Sequence, residues 1–476
     1  MTSLSSTASA APRHRSHSHA RGLDTQTALN KRMFWALLGL VALVPLPLGS
    51  ARPFFWAMAG ACVGLASLLY ALSLIRLGED FRLIPAFGKL LGSLFALFCL
   101  AFVAQLLPIG GLFGGFAVAS GAGLELTSNQ ISIAPGMTLF MLIRQLSYAL
   151  FLFLAMQVMA NESRRLRMLD GLLIVILAYG AYGMISLQSG DTILGMPKWA
   201  YLGNATGTFV NRNSFATFLA MGAAIAAVRI AGLLVERSHQ HPDDGRIKGI
   251  ASALVLNAMA LAFLFLVIIA TQSRMGLFAG IVGSLAGFCL LLGKAQGRIR
   301  LAGPLIAIPL VGAIAFGVLG NEVFDRFVQI EGDSTIRTNL YAQILELIGQ
   351  RPFIGWGGGS FEHAFQLVHR PPVNVDYTWQ LGHNTYLSLW AELGVFAGSI
   401  PIVIIAALAA LILKRFFTRS TDSRSIVPQA AAIAVIVVVG VHALADFSLE
   451  IPANAFMLMA VLATALGTLP RPGRGN

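Results

Sequence analysis

Two apolar runs joined by a short turn make up residues 249–293, GIASALVLNAMALAFLFLVIIATQSRMGLFAGIVGSLAGFCLLLG. Each run has about twenty residues, the length that an α-helix needs to cross a hydrocarbon layer about 30 Å thick. The turn between them, Thr271 to Arg274, is too short for a solvated loop. This stretch therefore predicts two antiparallel transmembrane helices, and the rest of the chain repeats the pattern.

Apolar runs of similar length recur along most of the chain. Besides 249–271 and 274–293, they occur at 33–50, 54–75, 89–108, 137–160, 168–188, 213–235, 301–319, 386–413, 426–446 and 452–468. The runs lack the strict alternation of half-buried β-strands. The sequence predicts an all-α polytopic membrane protein of about twelve transmembrane helices, and it argues against a soluble enzyme.

The composition supports this class. The chain is 56% hydrophobic and 11% charged, with a mean hydropathy of +0.75, whereas soluble domains have about 25% charged residues. The formal net charge is +12, but the basic residues form short clusters between the apolar runs, which argues against a nucleic-acid partner. Cys62, Cys99 and Cys289 lie within apolar runs, so we expect no disulfide and no cysteine-bound metal. The sequence indicates no metal site of another kind and no cofactor.

The charge distribution also predicts the orientation. Most of the 33 Lys and Arg residues fall on the side that holds both chain ends, so both ends are predicted to be cytoplasmic. Residues 1–32 lack the features of a signal peptide and are predicted to be a disordered basic tail. Residues 33–319 contain nine spans, 320–385 form a large non-cytoplasmic loop, 386–468 contain three more spans, and 469–476 form a second cytoplasmic tail.

The large loop contains one helical pattern and one glycine-rich turn. Apolar residues recur at helical spacing at Ile336, Leu340, Ile344, Leu347 and Ile348, which predicts an amphipathic helix on the membrane surface. The turn RPFIGWGGGSF follows, and its backbone can approach a ligand or another helix closely. It lacks the GKS/T ending of a phosphate-binding loop, so nucleotide binding is disfavoured.

Acidic residues in the predicted spans lie only near their ends, at Asp170, Glu392 and Asp446. An ion-coupled carrier needs carboxylates near the middle of the membrane for its coupling ion. The sequence therefore disfavours ion-coupled transport.

Three candidate functional residues are predicted at the non-cytoplasmic boundary. They are Arg212 in GTFVNRNSF, Arg274 in TQSRMG and His383 in LGHNTYLSLW. The planar guanidinium fork of arginine suits bidentate contact with phosphate oxygens. The alternative is that each arginine caps helix carbonyls or pairs with a carboxylate such as Glu331 or Asp376. Arg274 is the strongest candidate, because its turn is so short.

His383 is a candidate general base. A histidine side chain ordinarily titrates at about pH 6.5, so it can take a proton from a hydroxyl near neutral pH. A structural role is the alternative, but the neighbouring Asn384, Tyr386 and Glu392 and the two arginines favour a site.

Three further residues need partners inside the membrane. His442 and Asp446 are one helical turn apart, which predicts a buried ion pair that orients helices. Arg144 lies inside its predicted span, where it needs either polar groups of the bundle or an anionic ligand.

The segments GTFVNRNSFATFL, SRMGLFAG, RPFIGWGGGSF and GHNTYLSLWAELGVFAG, taken in this order, resemble the O-antigen ligase/polymerase superfamily. The resemblance covers roughly residues 200 to 400, and HNTYL is its most specific part. It implies a metal-independent glycosyltransferase of the bacterial inner membrane that works on the periplasmic side. The donor would be a glycan on undecaprenyl diphosphate, and the acceptor another glycan or lipid A core.

The resemblance also implies roles for residues. Arg212 and Arg274 would hold the diphosphate, and His383 would be the base for the acceptor hydroxyl. Arg351, Asn384, Tyr386 and Arg144 are second-rank candidates for substrate binding.

Several alternatives stay open at this point. Ligase and polymerase share these motifs, and a flippase and a chain-length regulator are possible partner proteins. A transporter or flippase of a lipid-linked sugar is the alternative function, because periplasmic arginines could also bind a diphosphate headgroup. A transporter would need cationic residues along a path through the bundle interior to the cytoplasm. Arg144 and Arg229 are the basic residues predicted to lie there.

Overall fold

The computed structural model describes residues 14–81, 88–113, 116–119, 125–238, 240, 246–295, 331–418 and 423–467. In this part of the chain the helices are α1 His14–Leu43, α2 Pro53–Leu77, α3 Gly88–Leu106, α4 Gly110–Phe113, α5 Pro135–Val158, α6 Glu162–Gln188, α7 Arg212–Ser238, α8 Arg246–Ala270, α9 Arg274–Ala295, α10 Glu331–Gln350, α11 Phe361–Phe365, α12 Thr385–Thr418, α13 Ser423–His442 and α14 Pro452–Leu466. Two antiparallel hairpins pair β1 Phe116–Ala119 with β2 Glu125–Ser128, and β3 Thr192–Ile193 with β4 Met196–Pro197.

The all-α polytopic class is confirmed. Among the described residues, nine helices are long and apolar enough to cross a membrane: α2, α3, α5, α6, α7, α8, α9, α12 and α13. Helix α14 is apolar but shorter. The span predicted at 301–319 lies outside the described residues.

Helix α1 differs from the prediction at both ends. It begins at His14, so the tail predicted to be disordered is helical from that residue. The sequence has no proline between Pro12 and Pro45, and a membrane helix can therefore continue beyond the lipid. At its other end the helix stops at Leu43, before Pro45, rather than at residue 50.

Helix α7 is the centre of the bundle, and every side chain from Asn213 to Val228 is buried. Helix α9 runs parallel to it at close range: a Cβ added at Gly276 would lie 2.4 Å from the Ala216 Cβ, and one added at Gly287 would lie 2.5 Å from a Val228 methyl. Small residues allow two membrane helices to approach this closely. Both helices therefore begin at the same end of the bundle, which we call the site end.

Helix α13 packs antiparallel to α9. A Cβ added at Gly283 would lie 2.3 Å from a Val438 methyl, while one added at Gly287 would lie 2.6 Å from the Ala434 Cβ. Because later residues of α13 meet earlier residues of α9, α13 ends at the site end, at His442.

The glycine-rich turn of the large loop packs against protein. A Cβ at Gly357 would lie 2.2 Å from the Ser132 Oγ, and one at Gly358 would lie 2.2 Å from the Phe102 ring. Of the two roles that the sequence left open, close approach to another helix is the observed one. The predicted amphipathic helix is present as α10, with Leu340, Ile344, Leu347 and Ile348 buried in a second hydrophobic core.

The predicted helix at 386–413 is longer and interrupted. Helix α12 continues to Thr418, but Gly394 has φ 76° and ψ 163° and breaks it near its start. At the break, the Val395 amide donates to the Pro352 carbonyl at 2.7 Å. A Cβ at Gly394 would lie 2.3 Å from the Phe353 oxygen, so the helix breaks where the segment after α10 docks.

Candidate functional site

Two of the predicted arginines lie at the site end because each is the first residue of its helix. Arg212 begins α7 and Arg274 begins α9. The segments before the two helices are joined by a hydrogen bond from the Ala205 amide to the Ala270 carbonyl at 2.9 Å. The structure thus brings Arg212 and Arg274 to neighbouring positions on parallel helices.

Local hydrogen bonds fix the position of Arg212. The Asn211 side chain caps α7 by accepting from the Asn213 and Ser214 amides at 2.7 and 3.1 Å. The Arg212 guanidinium donates to the Asn204 Oδ1 at 3.1 Å and lies 5.6 Å from the centre of the Tyr201 ring. Both of these partners are uncharged, and neither neutralises the positive charge of Arg212.

His383 lies in the connection before α12 and has φ 51°, in the left-handed region. The Tyr341 hydroxyl of α10 donates to the His383 carbonyl at 2.7 Å. The imidazole lies between the Trp379 ring, at 5.7 Å, and the Phe447 ring, at 4.8 Å. The backbone contact and the two rings hold the imidazole in one orientation.

Asp446 is the carboxylate partner of His383, and this pairing was not predicted from the sequence. Its Oδ1 is 3.6 Å from the His383 Nδ1, and its Oδ2 is 3.9 Å from the His442 Nδ1. Ser448 also donates to the Asp446 carboxylate. The predicted contact of Asp446 with His442 is thus present at 3.9 Å, but the same carboxylate also faces the candidate base.

The pKa of Asp446 lies below its usual value despite its burial. Burial raises the pKa, while His383, His442 and the Ser448 hydroxyl lower it by more. The carboxylate therefore stays ionised at neutral pH and can stabilise a positive charge on the imidazole.

Asn384 and Tyr386 attach the start of α12 to the end of α13 and the segment that follows it. The Asn384 side chain accepts from the Tyr386 and Leu387 amides, at 3.0 and 3.1 Å, and donates to the Leu444 carbonyl at 2.8 Å. The Tyr386 hydroxyl donates to the Gly440 carbonyl at 2.9 Å. These contacts position His383 beside Asp446, so both residues act here as supports of the site.

Arg337 is a further cation of the site. It lies in the first half of α10 and is close enough to Tyr341 and Tyr201 to affect their pKa values. Burial raises the pKa of each tyrosine, while the positive charge of Arg337 lowers it. Arg337 carries no distinguishing signal in the sequence, because it lies on the polar face of an amphipathic helix. The packing of α10 against His383, through Tyr341, brings Arg337 near the site.

Two second-rank candidates lie away from His383. Arg351 follows α10, about 21 Å along the helix axis from Arg337. Its guanidinium donates to the Ile131 carbonyl at 3.2 Å and lies 4.3 Å from the Trp356 ring centre, and burial lowers its pKa. The structure therefore does not bring Arg351 to the site.

Arg144 lies within α5 and contacts both the backbone and an aromatic ring of the bundle. Its guanidinium donates to the Glu450 carbonyl at 3.0 Å and lies 4.5 Å from the Trp56 ring centre. Glu392 is also buried, and its carboxylate accepts from the Phe361 amide at 3.3 Å. Both residues connect helices next to the site.

The assembled site contains cations, a supported imidazole and aromatic rings at one end of a membrane bundle. Within the described ranges, no group of three or more His, Cys, Asp or Glu side chains could hold a metal ion. Guanidinium groups can bind a diphosphate, and an imidazole next to a carboxylate can accept a proton.

A family model described as O-Antigen ligase matches residues 259–402. The match is narrower than the resemblance seen in the sequence: it contains Arg274, Arg337 and His383, while Arg212 and Asp446 lie outside it. No curated protein sequence matches the chain. Residues 259–402 are thus similar to the O-antigen ligase family, which agrees with the resemblance read from the sequence and supports a role in surface polysaccharide assembly.

Proposed function

We propose that this protein is a periplasm-facing glycosyltransferase of the bacterial inner membrane. It transfers a glycan from undecaprenyl diphosphate either to lipid A core, as a ligase, or to another glycan, as a polymerase. The observation that carries the proposal is the gathering of Arg212, Arg274 and Arg337 with the His383–Asp446 pair at one end of the bundle.

The arginines supply the charge that a diphosphate requires. The described partners of Arg212 are an amide and an aromatic ring, and its buried Nε has no hydrogen-bond partner among the described residues. Guanidinium groups bind phosphate oxygens strongly through charge-assisted hydrogen bonds. They also stabilise the negative charge that develops on the leaving diphosphate.

His383 and Asp446 supply the base. The hydroxyl oxygen of the acceptor attacks the anomeric carbon of the donor and forms the new glycosidic bond, while its proton passes to the imidazole. The bond from the anomeric carbon to the diphosphate oxygen breaks, and its electron pair leaves with the lipid diphosphate. Asp446 faces the His383 Nδ1 at 3.6 Å, which leaves Nε2 to accept the proton. Apo sites commonly show such long contacts, which shorten when the substrate binds.

A transporter of a lipid-linked sugar receives less support. Such a protein needs cationic groups along a path through the bundle, and Arg144 and Arg229 were the candidates. Arg229 forms a two-point ion pair with Asp170, at 2.8 and 3.2 Å, and Arg144 is held by the Glu450 carbonyl and Trp56. Both residues therefore already have structural partners.

The test is complementation of a deletion strain. If the protein is a ligase, we expect the deletion strain to lose the long lipopolysaccharide bands and to accumulate lipid-linked polymer. Intact lipopolysaccharide with missing or shortened secreted polysaccharide would identify a polymerase. His383→Ala and Arg274→Ala should fail to restore the product at normal protein level. Arg167→Ala is the matched control, because Arg167 is exposed near the start of α6 and its guanidinium contacts Ser163 one turn earlier. Restoration of the product by both site variants would refute the proposal.

A further inference from the structure

We propose that Tyr377 and Trp379 form a platform on which a sugar ring stacks beside His383. This inference rests on the proposed function and adds a sugar-binding subsite to it. The platform belongs to the loop between α11 and α12, and we call residues 374–380 the platform loop.

The platform is continuous with the candidate base. The Tyr377 and Trp379 rings are 5.4 Å apart at an interplanar angle of 81°. The Trp379 ring in turn meets the His383 imidazole at 5.7 Å and 79°. A ring stacked on these residues would therefore lie next to the group that accepts the proton.

Tyr377 is exposed although the loop around it is well fixed. The relative exposure of Tyr377 is 58%. The Asn374 carbonyl accepts from the Trp379 indole at 3.3 Å and contacts the His369 Nε2 at 3.0 Å, and the Asn374 side chain accepts from the Asp376 amide at 2.9 Å. An aromatic ring presented by an ordered loop costs little conformational entropy when a ligand binds.

The segment before the platform loop is anchored to α10. The Arg370 guanidinium binds the Glu346 carboxylate through two contacts, at 3.2 and 2.6 Å. The Gln343 side chain donates to the Arg370 carbonyl at 2.7 Å and accepts from the Arg370 amide at 3.3 Å. Because Arg337 lies on the same helix, the platform loop and that cation have a common support.

Aromatic residues also lead from the platform to the proposed diphosphate site. Tyr201 lies below the Arg212 guanidinium, at 5.6 Å. Burial raises the pKa of Tyr201, and the nearby Asp446 and Tyr377 raise it further. Tyr201 is therefore near Arg212 and also near Tyr377 and Asp446. A sugar attached to a diphosphate held by Arg212 must reach His383 across this same interval.

The ligand class follows from the chemistry of the rings. The C–H face of a pyranose is apolar while its hydroxyls are polar, and an exposed aromatic face offers apolar contact without excluding water from the hydroxyls. The sugar can belong to the donor, as the unit next to the diphosphate, or to the acceptor. Both sources present the same ring, and the experiment separates them.

The experiment uses the full-length protein in lipid nanodiscs with two variants, Tyr377→Ala and Tyr377→Phe. The donor probe is the lipid-linked glycan extracted from the deletion strain. The acceptor probe is the oligosaccharide released from the strain's own surface polysaccharide by mild acid. Phe54→Ala is the matched control, because Phe54 is an aromatic residue of 71% exposure at the start of α2.

We expect Tyr377→Ala to raise the KM for one probe about 2- to 10-fold with kcat nearly unchanged, as befits a single aromatic contact. Tyr377→Phe keeps the ring and should behave as the wild type, as should Phe54→Ala. The probe whose KM rises identifies the source of the sugar. Unchanged KM values for both probes in Tyr377→Ala would overturn the proposal.

A binding measurement separates this proposal from the proposed function. The difference in tryptophan emission between the wild type and Trp379→Phe reports on Trp379, and we expect the oligosaccharide or the donor to change it even in the inactive His383→Ala. No change with either probe, together with quenching of this emission by brominated lipids, would assign the platform loop to the bilayer and overturn the proposal. If Tyr377→Ala binds and transfers as the wild type while His383→Ala is inactive, the platform fails but the proposed function stands.

Discussion

Replacement of Asp446 by asparagine removes one buried negative charge and preserves the shape of the side chain. Asp446 is fully buried, and its carboxylate faces the His383 Nδ1 at 3.6 Å. When His383 accepts the proton of the acceptor hydroxyl, the imidazole becomes positive. The substitution thus removes the group that stabilises this positive charge and leaves the arginines in place.

The expected loss of activity follows from the distance between the Asp446 carboxylate and the His383 imidazole. Two unit charges at 3.6 Å interact by about 4 to 5 kcal/mol at an effective dielectric constant of about 20. Proton transfer is incomplete in the transition state, so we expect a loss of about 10²- to 10³-fold in kcat, within the usual range for general base catalysis. The KM for the lipid-linked donor should change little, because its diphosphate binds the arginines.

The assay is transfer of lipid-linked glycan by the purified protein in nanodiscs, with thermal unfolding measured on the same samples. Asp80→Asn is the matched control, since it makes the same chemical change at an exposed position after α2. A kcat within threefold of the wild type, from a variant with normal stability, would refute the role of Asp446. A loss of stability with unchanged kcat would reduce Asp446 to the helix-orienting role that the sequence predicted.

Three further predictions concern the cations, the pH and the glycine-rich turn. Arg337→Ala should lower the transfer rate at least tenfold without loss of stability. Arg351→Ala should instead lower the unfolding temperature and leave the transfer rate of the folded protein nearly unchanged. Transfer and thermal unfolding assays on the same samples distinguish the two effects. Burial raises the pKa of Glu450 to about 8 from its usual value of 4.5, so the folded protein holds a proton that the unfolded chain releases. The free energy of unfolding should therefore fall as the pH rises from about 4.5 to about 8, and Glu450→Gln should flatten this dependence in thermal unfolding. Gly357→Ala should destabilise the protein by about 1 to 3 kcal/mol, because φ is +112° and the new Cβ would lie 2.2 Å from a serine Oγ, while Gly349→Ala meets nothing within 4 Å and should be neutral in the same assay.

The spans could be predicted because their signal is local. A run of about twenty apolar residues identifies a membrane helix regardless of its neighbours. The break at Gly394 has no such signal, because it arises where the segment around Pro352 docks on α12. The early end of α1 had a local signal in Pro45, which the hydropathy pattern concealed.

The candidate site was predicted in part. Arg212, Arg274 and His383 were selected from their short motifs, and the structure brings them to the same end of the bundle. Asp446 was noticed but paired with His442 alone, because its neighbour along the helix is visible in the sequence and His383, far away in the chain, is not. Arg337 was missed for the same reason.

The sequence by itself determined that the chain is a membrane protein, that it has membrane helices, and that it carries residue types suited to a diphosphate and a hydroxyl acceptor. Each of these features depends on composition or on a few neighbouring residues. The tertiary structure decided which of these residues meet. Close packing of α7, α9 and α13 through small side chains sets the common end of the helices, and the hydrogen bonds of Asn384 and Tyr386 place His383 against Asp446. Such contacts join residues distant in the chain, and they depend on shapes and directions that a linear pattern does not contain.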